Sequence, residues 1–234
     1  YAATRFPAKL MQLLGDKTVI RMTYENTIAT GLFDEVIVVT DSDIIYNEIV
    51  SHGGKAIMSS KQHESGSDRI AEAIQDLDID VVVNVQGDEP FVNKTVLQKL
   101  VDCFTDPEVQ VASAMLASED AEYLRNPNFA KVVVDKDYNA LYFSRSLVPF
   151  NRTPEEKITY YKHIGIYAFR KPALLRFTTW PMGRWEKAEK LEQLRYLENG
   201  VKIKMVLTEY SGIGIDSPEE LEKAKQLLSA RGHL

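Results

Sequence analysis

The chain has 234 residues, which can bury one sizeable core or a core with a small appended lobe. Its composition, 44% hydrophobic and 26% charged residues, is ordinary for a globular protein and argues against disorder. The formal net charge of −6 provides no overall positive field for a nucleic-acid backbone or an anionic membrane. We therefore expect neither as a partner, and any phosphate must be held by local cations.

Two further absences narrow the class of protein. No apolar stretch approaches the length of a membrane span, and the first residues show no signal-peptide core, so we expect a cytoplasmic protein. The single cysteine, Cys103, excludes an internal disulfide.

The first half of the chain alternates short β-branched runs with helix-like stretches. The strand-like runs are 36–39, 55–57 and 81–85, and the helix-like stretches are 18–30, 42–52, 67–77 and 93–104. Alternation at this spacing predicts βαβ units. We therefore expect an α/β fold, a doubly wound, mostly parallel sheet with helices on both faces.

The second half has shorter and more polar strand-like runs. After 109–115 these are 131–135, 140–144 and 163–169, with a polar loop over 151–159, a helix over 186–199, a strand over 201–207 and a final helix over 218–229. We interpret them as a smaller mixed β extension of the sheet within a single domain over 1–234.

A loop-like segment, 1–9, comes before any predicted strand. In a doubly wound fold such a loop follows a first strand, so we expect a short apolar segment upstream of this sequence. Arg5 and Lys9 lie four residues apart in this loop, ahead of the first helix, so the two cations can converge on one anion such as a triphosphate. Two solvated surface cations are the alternative.

A carboxylate-bearing turn, Gln86-Gly87-Asp88-Glu89-Pro90, follows the apolar run 81–85. The run is typical of a buried parallel strand, and open α/β sheets bind ligands beyond the carboxyl ends of their strands. Gly87 allows close approach of the backbone, and Asp88 is an oxygen donor of the kind that Mg²⁺ takes one or two of beside phosphate oxygens. A metal-nucleotide site is one interpretation, and a solvated turn is the other.

The starts of two predicted helices also contain charged residues that helix capping does not explain. At Gly66-Ser67-Asp68-Arg69, capping explains Ser67 and Asp68 but not Arg69, which could meet a nucleotide or pair with Glu72. At 214–220, Ser217, Pro218 and Glu220 form a capping box, which leaves Asp216 as a second metal candidate or a structural turn carboxylate.

Polar residues in the second half point to a further candidate pocket. His163-Ile164-Gly165-Ile166-Tyr167 alternates, so His163 and Tyr167 share one strand face and Gly165 leaves room for a ligand. A core histidine with a satisfied hydrogen bond is the alternative. Glu192 and Gln193 lie to one side of a helical apolar stripe, where by themselves they would be a solvated face.

Seven motifs in chain order resemble those of the bacterial 3-deoxy-manno-octulosonate cytidylyltransferases, the CMP-Kdo synthetases. They span essentially the whole chain: Thr4-Arg5-Phe6-Pro7-Ala8-Lys9, Ser65-Gly66-Ser67-Asp68-Arg69, Gln86-Gly87-Asp88-Glu89-Pro90, Ala140-Leu141-Tyr142-Phe143-Ser144-Arg145, His163-Ile164-Gly165-Ile166-Tyr167, Leu191-Glu192-Gln193-Leu194-Arg195 and Gly214-Ile215-Asp216-Ser217-Pro218. Two features depart from the family pattern. Ala8 stands where the family usually has Gly, and the family's upstream Pro-Ala-Arg segment is absent from this sequence.

The resemblance implies a fold of the nucleotide-diphospho-sugar transferase kind and an enzyme that joins CTP and 3-deoxy-D-manno-octulosonate (Kdo). The products would be CMP-Kdo and pyrophosphate, which activates Kdo for lipopolysaccharide biosynthesis, and a homodimer is expected. It also divides the chain, with 1–115 and 200–234 mainly for nucleotide and metal and 116–199 mainly for sugar binding and dimerisation.

The resemblance further assigns the candidate residues to roles. Lys9, Asp88 and Asp216 would be catalytic, with the two aspartates binding Mg²⁺. The nucleotide side would comprise Arg5, Lys9, Ser67, Arg69, Gln86 and Gly87. The sugar side would comprise Gln86, Arg145, Arg152, His163, Tyr167, Glu192 and Gln193, with the cations facing the Kdo carboxylate.

The rival functions are a cytidylyltransferase for another acidic sugar, such as sialic acid, and an inactive nucleotide-sugar-binding protein. The first should lack the Ser-Gly-Ser-Asp-Arg turn and the His-Ile-Gly-Ile-Tyr strand, and both are present. The second should have lost a metal or phosphate ligand, whereas Lys9, Asp88 and Asp216 are retained.

Overall fold

The computed structural model describes residues 6, 8–60, 63, 66–153, 155–212 and 214–230. The strands are β1 (Leu13–Leu14), β2 (Lys17–Thr18), β3 (Val38–Thr40), β4 (Ala56–Met58), β5 (Val81–Asn84), β6 (Val111–Ser118), β7 (Lys131–Val134), β8 (Ala140–Ser144), β9 (Tyr160–Arg170) and β10 (Ile203–Leu207). The α-helices are α1 (Val19–Ala29), α2 (Asp43–Ser51), α3 (Gly66–Ile74), α4 (Lys94–Asp102), α5 (Ala121–Leu124), α6 (Lys171–Phe177), α7 (Arg184–Glu189), α8 (Leu194–Glu198) and α9 (Pro218–Ala230). No helix of the described part is long and apolar enough to cross a membrane.

The chain divides into two compact units that interleave along the sequence. The first gathers Tyr1–Ala73, Val85–Lys94 and Gly212–Leu234, and the second gathers Ile74–Asn84 and Thr95–Ser211. A boundary falls at the end of β5, so this strand belongs to the second unit while the turn 86–90 belongs to the first.

The first unit packs helices against a small parallel pair of strands. β3 and β4 run parallel, with Val38 opposite Ala56. α1 begins at Thr18, whose hydroxyl accepts a hydrogen bond from the amide of Arg21 at 3.3 Å, which satisfies one of the free amides of the first turn. The buried side chains of α1 and α2 form a common core of Ile20, Tyr24, Ile45 and Ile49.

The second unit is built on a six-stranded, mostly antiparallel sheet. Its order is β10-β6-β9-β7-β8, and β5 pairs with β9 in addition. β9 is eleven residues long and runs antiparallel to β5, β6 and β7, while β10 and β6 are parallel. The sheet therefore depends on one long strand that serves three neighbours.

The α/β class is confirmed, but the doubly wound, mostly parallel sheet is not. Of the described pairings only β3–β4 and β10–β6 are parallel. β5, which the sequence indicates to be a buried parallel strand, pairs antiparallel with β9, and Val81, Val82 and Val83 are only partly buried. The reason is that the apolar pattern of a strand reports burial and not the direction of its neighbour.

The single helix predicted over 186–199 is two short helices instead. α7 ends at Lys190, which has a left-handed backbone with φ of 55°, and α8 starts at Leu194. The carboxylate of Glu198 at the end of α8 accepts hydrogen bonds from the amides of Arg184 and Trp185 at 2.9 and 3.1 Å. An acidic group is favourable at a helix N-terminus, so this contact stabilises the packing of the end of α8 against the start of α7.

A buried ion pair also links α7 and α8. Arg195 donates from Nη2 to Oε1 of Glu186 at 2.6 Å and from Nε to Oε2 at 2.7 Å, and both side chains are about 95% buried, with exposed fractions of 6% and 5%. The guanidinium also lies 4.1 Å from the ring centroid of Phe177. This two-pronged pair joins α7 to α8.

We predict that Arg195→Ala lowers the free energy of unfolding by about 3–5 kcal/mol, because it leaves the Glu186 carboxylate buried without a partner. Urea denaturation measures the loss. The matched control is Arg125→Ala, which removes an exposed pair with Glu122 and should cost less than about 1 kcal/mol. Equal losses for the two variants would show that burial does not set the contribution of the Arg195 pair.

Candidate functional site

Lys9, Asp88 and Asp216 come together in the first unit although they are widely separated in sequence. The Lys9 ammonium donates a short hydrogen bond to Oδ2 of Asp88 and another, of 2.6 Å, to Oδ1 of Asp216. Lys9 and Asp88 are mostly buried, with exposed side-chain fractions of 17% and 19%, while Asp216 is half exposed at 52%. One ammonium thus contacts two carboxylates and offsets one of their two negative charges.

Local backbone features place each of these side chains. Lys9 opens a short 3-10 turn directly after Ala8, whose φ of 55° is in the left-handed region that favours glycine. This explains why the resembling family usually has Gly where this chain has Ala8. The amide of Ile215 donates to the carbonyl of Asp88 at 3.0 Å, so the loops that carry the two aspartates are tied to each other.

Two neighbouring helices hold the aspartates in place. Thr23 and Asn26 of α1 donate to the carbonyls of Gly87 and Pro90 at 2.9 and 2.6 Å, which fixes the turn that carries Asp88. The cap of α9 forms as predicted at Ser217, but Glu220 reaches one residue further back and accepts from the amide of Asp216 at 2.7 Å. The capping interaction therefore also orients the second aspartate.

The ionisation of Lys9 follows from this geometry. Burial is the largest single influence on the Lys9 pKa and lowers it, but the charge of Asp88 and the hydrogen bonds and charge of both aspartates together outweigh burial. The pKa of Lys9 is raised above its ordinary value, and the side chain is an ammonium at neutral pH.

The donor set of the cluster fits a magnesium ion. Asp88 and Asp216 reach the same atom of Lys9, so their carboxylates are close enough to share one cation. Within the described ranges no group of three or more His, Cys, Asp or Glu side chains forms a dedicated metal cage. Mg²⁺ is commonly bound by one or two carboxylates with water and substrate phosphates completing its octahedron, and two aspartates meet that need.

The remaining candidates of the nucleotide side are dispersed over the first unit. Arg5 lies outside the described residues. Ser67 is buried, 1% exposed, in the first turn of α3, and Gln86 is exposed. Arg69 donates from Nη2 to Asp41 at 3.1 Å, so its partner is not Glu72.

Gly87 has a packing role that the sequence did not indicate. A Cβ atom at this position would lie 2.8 Å from Cδ1 of Ile20, which is closer than real Cβ atoms approach. The glycine therefore allows the turn to sit directly on α1. Its close approach in this structure is to a core side chain.

Glu72 is a hydrogen-bond acceptor for several neighbouring residues, a role that the sequence did not indicate. Its carboxylate accepts hydrogen bonds from Ser59 Oγ at 2.7 Å, from the Ser60 amide at 3.2 Å and from Nε2 of His63 at 2.6 Å, and also from the Ser60 hydroxyl. The hydroxyl of Ser60, followed by His63 and Ser59, lowers the pKa of Glu72 to about 2. Glu72 thus fastens Ser59, Ser60 and His63 to α3.

In the second unit, His163 lies at an irregularity of β9. Pairing with β6 jumps from Ser113–Tyr167 to Ala114–Ile164, which leaves Gly165 and Ile166 as a bulge. His163 and Tyr167 still share one face, with ring centroids 5.3 Å apart, as the sequence predicted. A Cβ at Gly165 would meet nothing within 4 Å, so space is open at the bulge.

Burial keeps both rings neutral. The His163 side chain retains some exposure, but the surrounding protein desolvates the imidazole and lowers its pKa to about 3. Burial, followed by the nearby charge of Glu192, raises the pKa of Tyr167 well above its ordinary value. His163 is therefore not a cation at neutral pH, contrary to any role as a charge partner of a carboxylate.

Gln193 is not part of a solvated face. Its side chain is 3% exposed, and within the described structure its Nε2 is a buried donor without a hydrogen-bond partner. Glu192 is partly exposed and lies near Tyr167. A buried unpaired amide is costly, so Gln193 is a candidate donor for a bound ligand.

Arg145 and Arg152 are placed differently from a simple carboxylate clamp. The Arg145 guanidinium donates to the carbonyls of Glu189, Pro127 and Lys190 at 2.7, 2.9 and 3.3 Å. Three of its five donors are thus used to join β8 to neighbouring loops. Arg152 is exposed and makes no side-chain hydrogen bond or ion pair with any other described residue.

The fold and the lysine–aspartate cluster define a class of enzyme that transfers a nucleotide. The sequence profile of the cytidylyltransferase family matches residues 1–203, and the chain belongs to this family. Within it, the chain belongs with the 3-deoxy-manno-octulosonate cytidylyltransferases. The enzyme of that name from Flavobacterium johnsoniae is 58% identical over 97% of this chain and 95% of its own length, and that from Bacteroides thetaiotaomicron is 46% identical over 99% and 96%.

Solved structures agree with this membership. The structure of CMP:2-keto-3-deoxy-manno-octonic acid synthetase complexed with CTP matches with a TM-score of 0.91 and 36% identity, over 99% of this chain and 95% of that one. A 4-diphosphocytidyl-2C-methyl-D-erythritol synthase from Anaerococcus prevotii matches with a TM-score of 0.62 at 19% identity, over 94% and 93%, and shares the fold alone.

We predict that the protein loses stability as the pH falls from about 6.5 towards 3 because of His163. The folded pKa of His163, about 3, lies below its unfolded value of 6.5, so only the unfolded state takes up the proton in this window. The contribution of neutral His163 to the free energy of unfolding is complete above pH 6.5. Below pH 6.5 this contribution falls by up to about 1.4 kcal/mol per pH unit.

Urea denaturation at several pH values tests this prediction. His163→Gln should flatten the slope between pH 6.5 and about 5.5, where the Glu72 carboxyl contributes little because this range lies about one pH unit or more above its ordinary pKa of 4.5. His52→Gln, which removes an exposed imidazole, should retain the slope. A wild-type profile that is flat above pH 4.5 would contradict the prediction.

Proposed function

We propose that this protein joins CTP and Kdo to give CMP-Kdo and pyrophosphate, and so activates Kdo for lipopolysaccharide biosynthesis. The observation that carries the proposal is the Lys9 ammonium held between Asp88 and Asp216 in a chain that belongs with the 3-deoxy-manno-octulosonate cytidylyltransferases. Homodimer formation and a cytoplasmic location remain part of the proposal.

The reaction needs positioning and charge neutralisation rather than a covalent intermediate. The anomeric hydroxyl of Kdo attacks the α-phosphorus of CTP, a new P–O bond forms, the bond to the β-phosphate oxygen breaks, and the hydroxyl proton passes to solvent. Asp88 and Asp216 would hold Mg²⁺, which supplies positive charge beside the phosphate oxygens.

Lys9 has two tasks in this scheme. Without substrate it pairs with both aspartates and offsets one of their two negative charges, and its raised pKa keeps it charged. With Mg²⁺ held by the two carboxylates, the Lys9 ammonium would be available to stabilise the charge that grows on the α-phosphoryl oxygens.

The sugar side is assigned to residues of the second unit. Gln193 supplies a buried donor, and neutral His163 and Tyr167 present hydrogen-bonding rings from one strand face. Arg152 is the side chain with unused donors for the Kdo carboxylate. Arg145 contributes by holding the end of β8 through the three carbonyls that its guanidinium contacts.

A pyrophosphate-release assay with CTP and Kdo tests the function directly. Turnover with Kdo and CTP supports the proposal. Turnover with sialic acid and not with Kdo would assign a different acidic sugar, and nucleotide binding without any turnover would assign an inactive binding protein.

We predict that Asp88→Asn and Asp216→Asn each reduce kcat by at least about 100-fold at saturating CTP, because each removes an anionic ligand for Mg²⁺. Pyrophosphate release across a range of Mg²⁺ concentrations measures the effect, and a thermal melt checks the fold. Asp34→Asn is the control, since Asp34 is an exposed aspartate of the same unit. Near-normal kcat in either variant would remove that residue from the metal site.

We predict that Lys9→Met lowers kcat by about 100-fold and changes the KM for CTP much less, because its charge acts on a transition state that is more negative than the substrate. The same variant should bind Mg²⁺ more tightly without nucleotide, since the ammonium no longer competes for the aspartates. Steady-state kinetics and calorimetric titration with Mg²⁺ measure the two effects, with Lys55→Met, an exposed lysine, as the control. A rise in KM alone would assign Lys9 to ground-state binding.

A further inference from the structure

Ser113 is a buried polar residue in the middle of β6 that no sequence motif singled out. Its side chain is fully inaccessible, 0% exposed. The hydroxyl oxygen lies 2.9 Å from Nε2 of His163, 2.9 Å from the carbonyl oxygen of Ile166 and 3.3 Å from that of Ile164. The Ser113 hydroxyl therefore contacts Ile166 within the bulge of β9 and the two residues that precede the bulge, His163 and Ile164.

The hydrogen positions follow from counting donors. A serine hydroxyl has one hydrogen to donate, and both carbonyl oxygens can only accept. The hydrogen must point towards a carbonyl, and the Ile166 oxygen is nearer. The serine oxygen then faces Nε2 of His163 with its lone pairs, which requires that nitrogen to carry a hydrogen and donate it.

This arrangement determines which nitrogen of His163 is left for a ligand. A neutral imidazole carries one hydrogen, so an Nε2–H leaves Nδ1 as an acceptor. Nδ1 makes no hydrogen bond with any other residue of the described structure, and the ring keeps some exposure beside the open space at Gly165.

We propose that Ser113 is a positioning residue that fixes His163 as the Nε2–H tautomer, so that Nδ1 accepts a hydrogen bond from a hydroxyl of the sugar. The proposal rests on the proposed function. It gives His163, which the resemblance places in the sugar pocket without a stated task, the role of a neutral acceptor that selects a hydroxyl group.

The surroundings of the ring support the neutral form. Phe143 of β8 contacts it edge-on at 5.0 Å between ring centroids, and Tyr167 of β9 lies at 5.3 Å. Burial, followed by the nearby charge of Glu192, raises the pKa of Tyr167 well above its ordinary value, so Tyr167 stays protonated. The low pKa of His163, about 3, is consistent with an imidazole that stays neutral while it binds substrate.

The tautomer can be measured without any activity. The chain has four histidines, so ¹⁵N-histidine labelling gives a simple long-range ¹H–¹⁵N spectrum, and the His163→Gln variant assigns the His163 signals. We expect the wild-type protein to show a protonated Nε2 and an unprotonated Nδ1 at pH 7.5. A protonated Nδ1 with a bare Nε2, or a doubly protonated ring, would overturn the proposal.

The Ser113→Ala variant tests the consequence for the sugar. It should raise the population of the Nδ1–H tautomer and increase the KM for Kdo about tenfold, while the KM for CTP changes by less than about twofold. Ser113→Thr, which keeps the hydroxyl, should restore the wild-type tautomer and much of the Kdo affinity. Ser118→Ala, at the far end of the same strand, is the control and should leave both quantities unchanged.

The outcomes separate this proposal from the proposed function. If the wild-type protein shows the Nε2–H tautomer but no turnover of CTP and Kdo, the function is wrong and the placement by Ser113 stands. If turnover is normal and Ser113→Ala leaves the tautomer and the KM for Kdo unaltered, the positioning role is wrong and the function stands. If Ser113→Ala does not fold, Ser113→Cys replaces it with the same expected changes, because a thiol is a much weaker acceptor than a hydroxyl.

Discussion

The first unit depends on the balance of one ammonium against two carboxylates. Asp88 and Asp216 would repel each other at this separation, and Lys9 between them converts repulsion into attraction. The supporting contacts all serve to bring these three side chains together. α1 holds one turn, the cap of α9 orients the other, and the Ile215 amide joins the two. Lys9 offsets one of the two negative charges, so the cluster as a whole keeps a net negative charge.

In the second unit, the structural constraint is that neutral polar side chains are carried on strands of a largely buried sheet. β9 must leave regular pairing to open space beside His163, and a bulge exposes carbonyl oxygens that need donors. The Ser113 hydroxyl satisfies one of these oxygens and contacts the imidazole at once. On the neighbouring helices, the Glu186–Arg195 pair fixes the segment that carries Gln193, whose amide is buried.

Sequence patterns predicted the structure correctly where a feature depends on residues only a few positions apart. The cap at Ser217, the strand before Asp88 and the shared face of His163 and Tyr167 all follow from spacing of a few residues. The direction of β5, the break in the helix at Lys190 and the partners of Arg69 and Arg145 did not follow. Each depends on a residue tens of positions away, or on a backbone conformation whose cost is offset by such a residue.

The sequence by itself determined the α/β class, the family and the residue types available for the chemistry, because motif order and strand or helix periodicity are written along the chain. Only the tertiary structure decided that Lys9 lies between two aspartates 79 and 207 residues away, and that Ser113 lies under a histidine 50 residues away. Periodicity records which side of an element is buried. It does not record which side chains from distant parts of the chain pack together. Those neighbouring side chains determine the charge state, the pKa and the tautomer of a buried group.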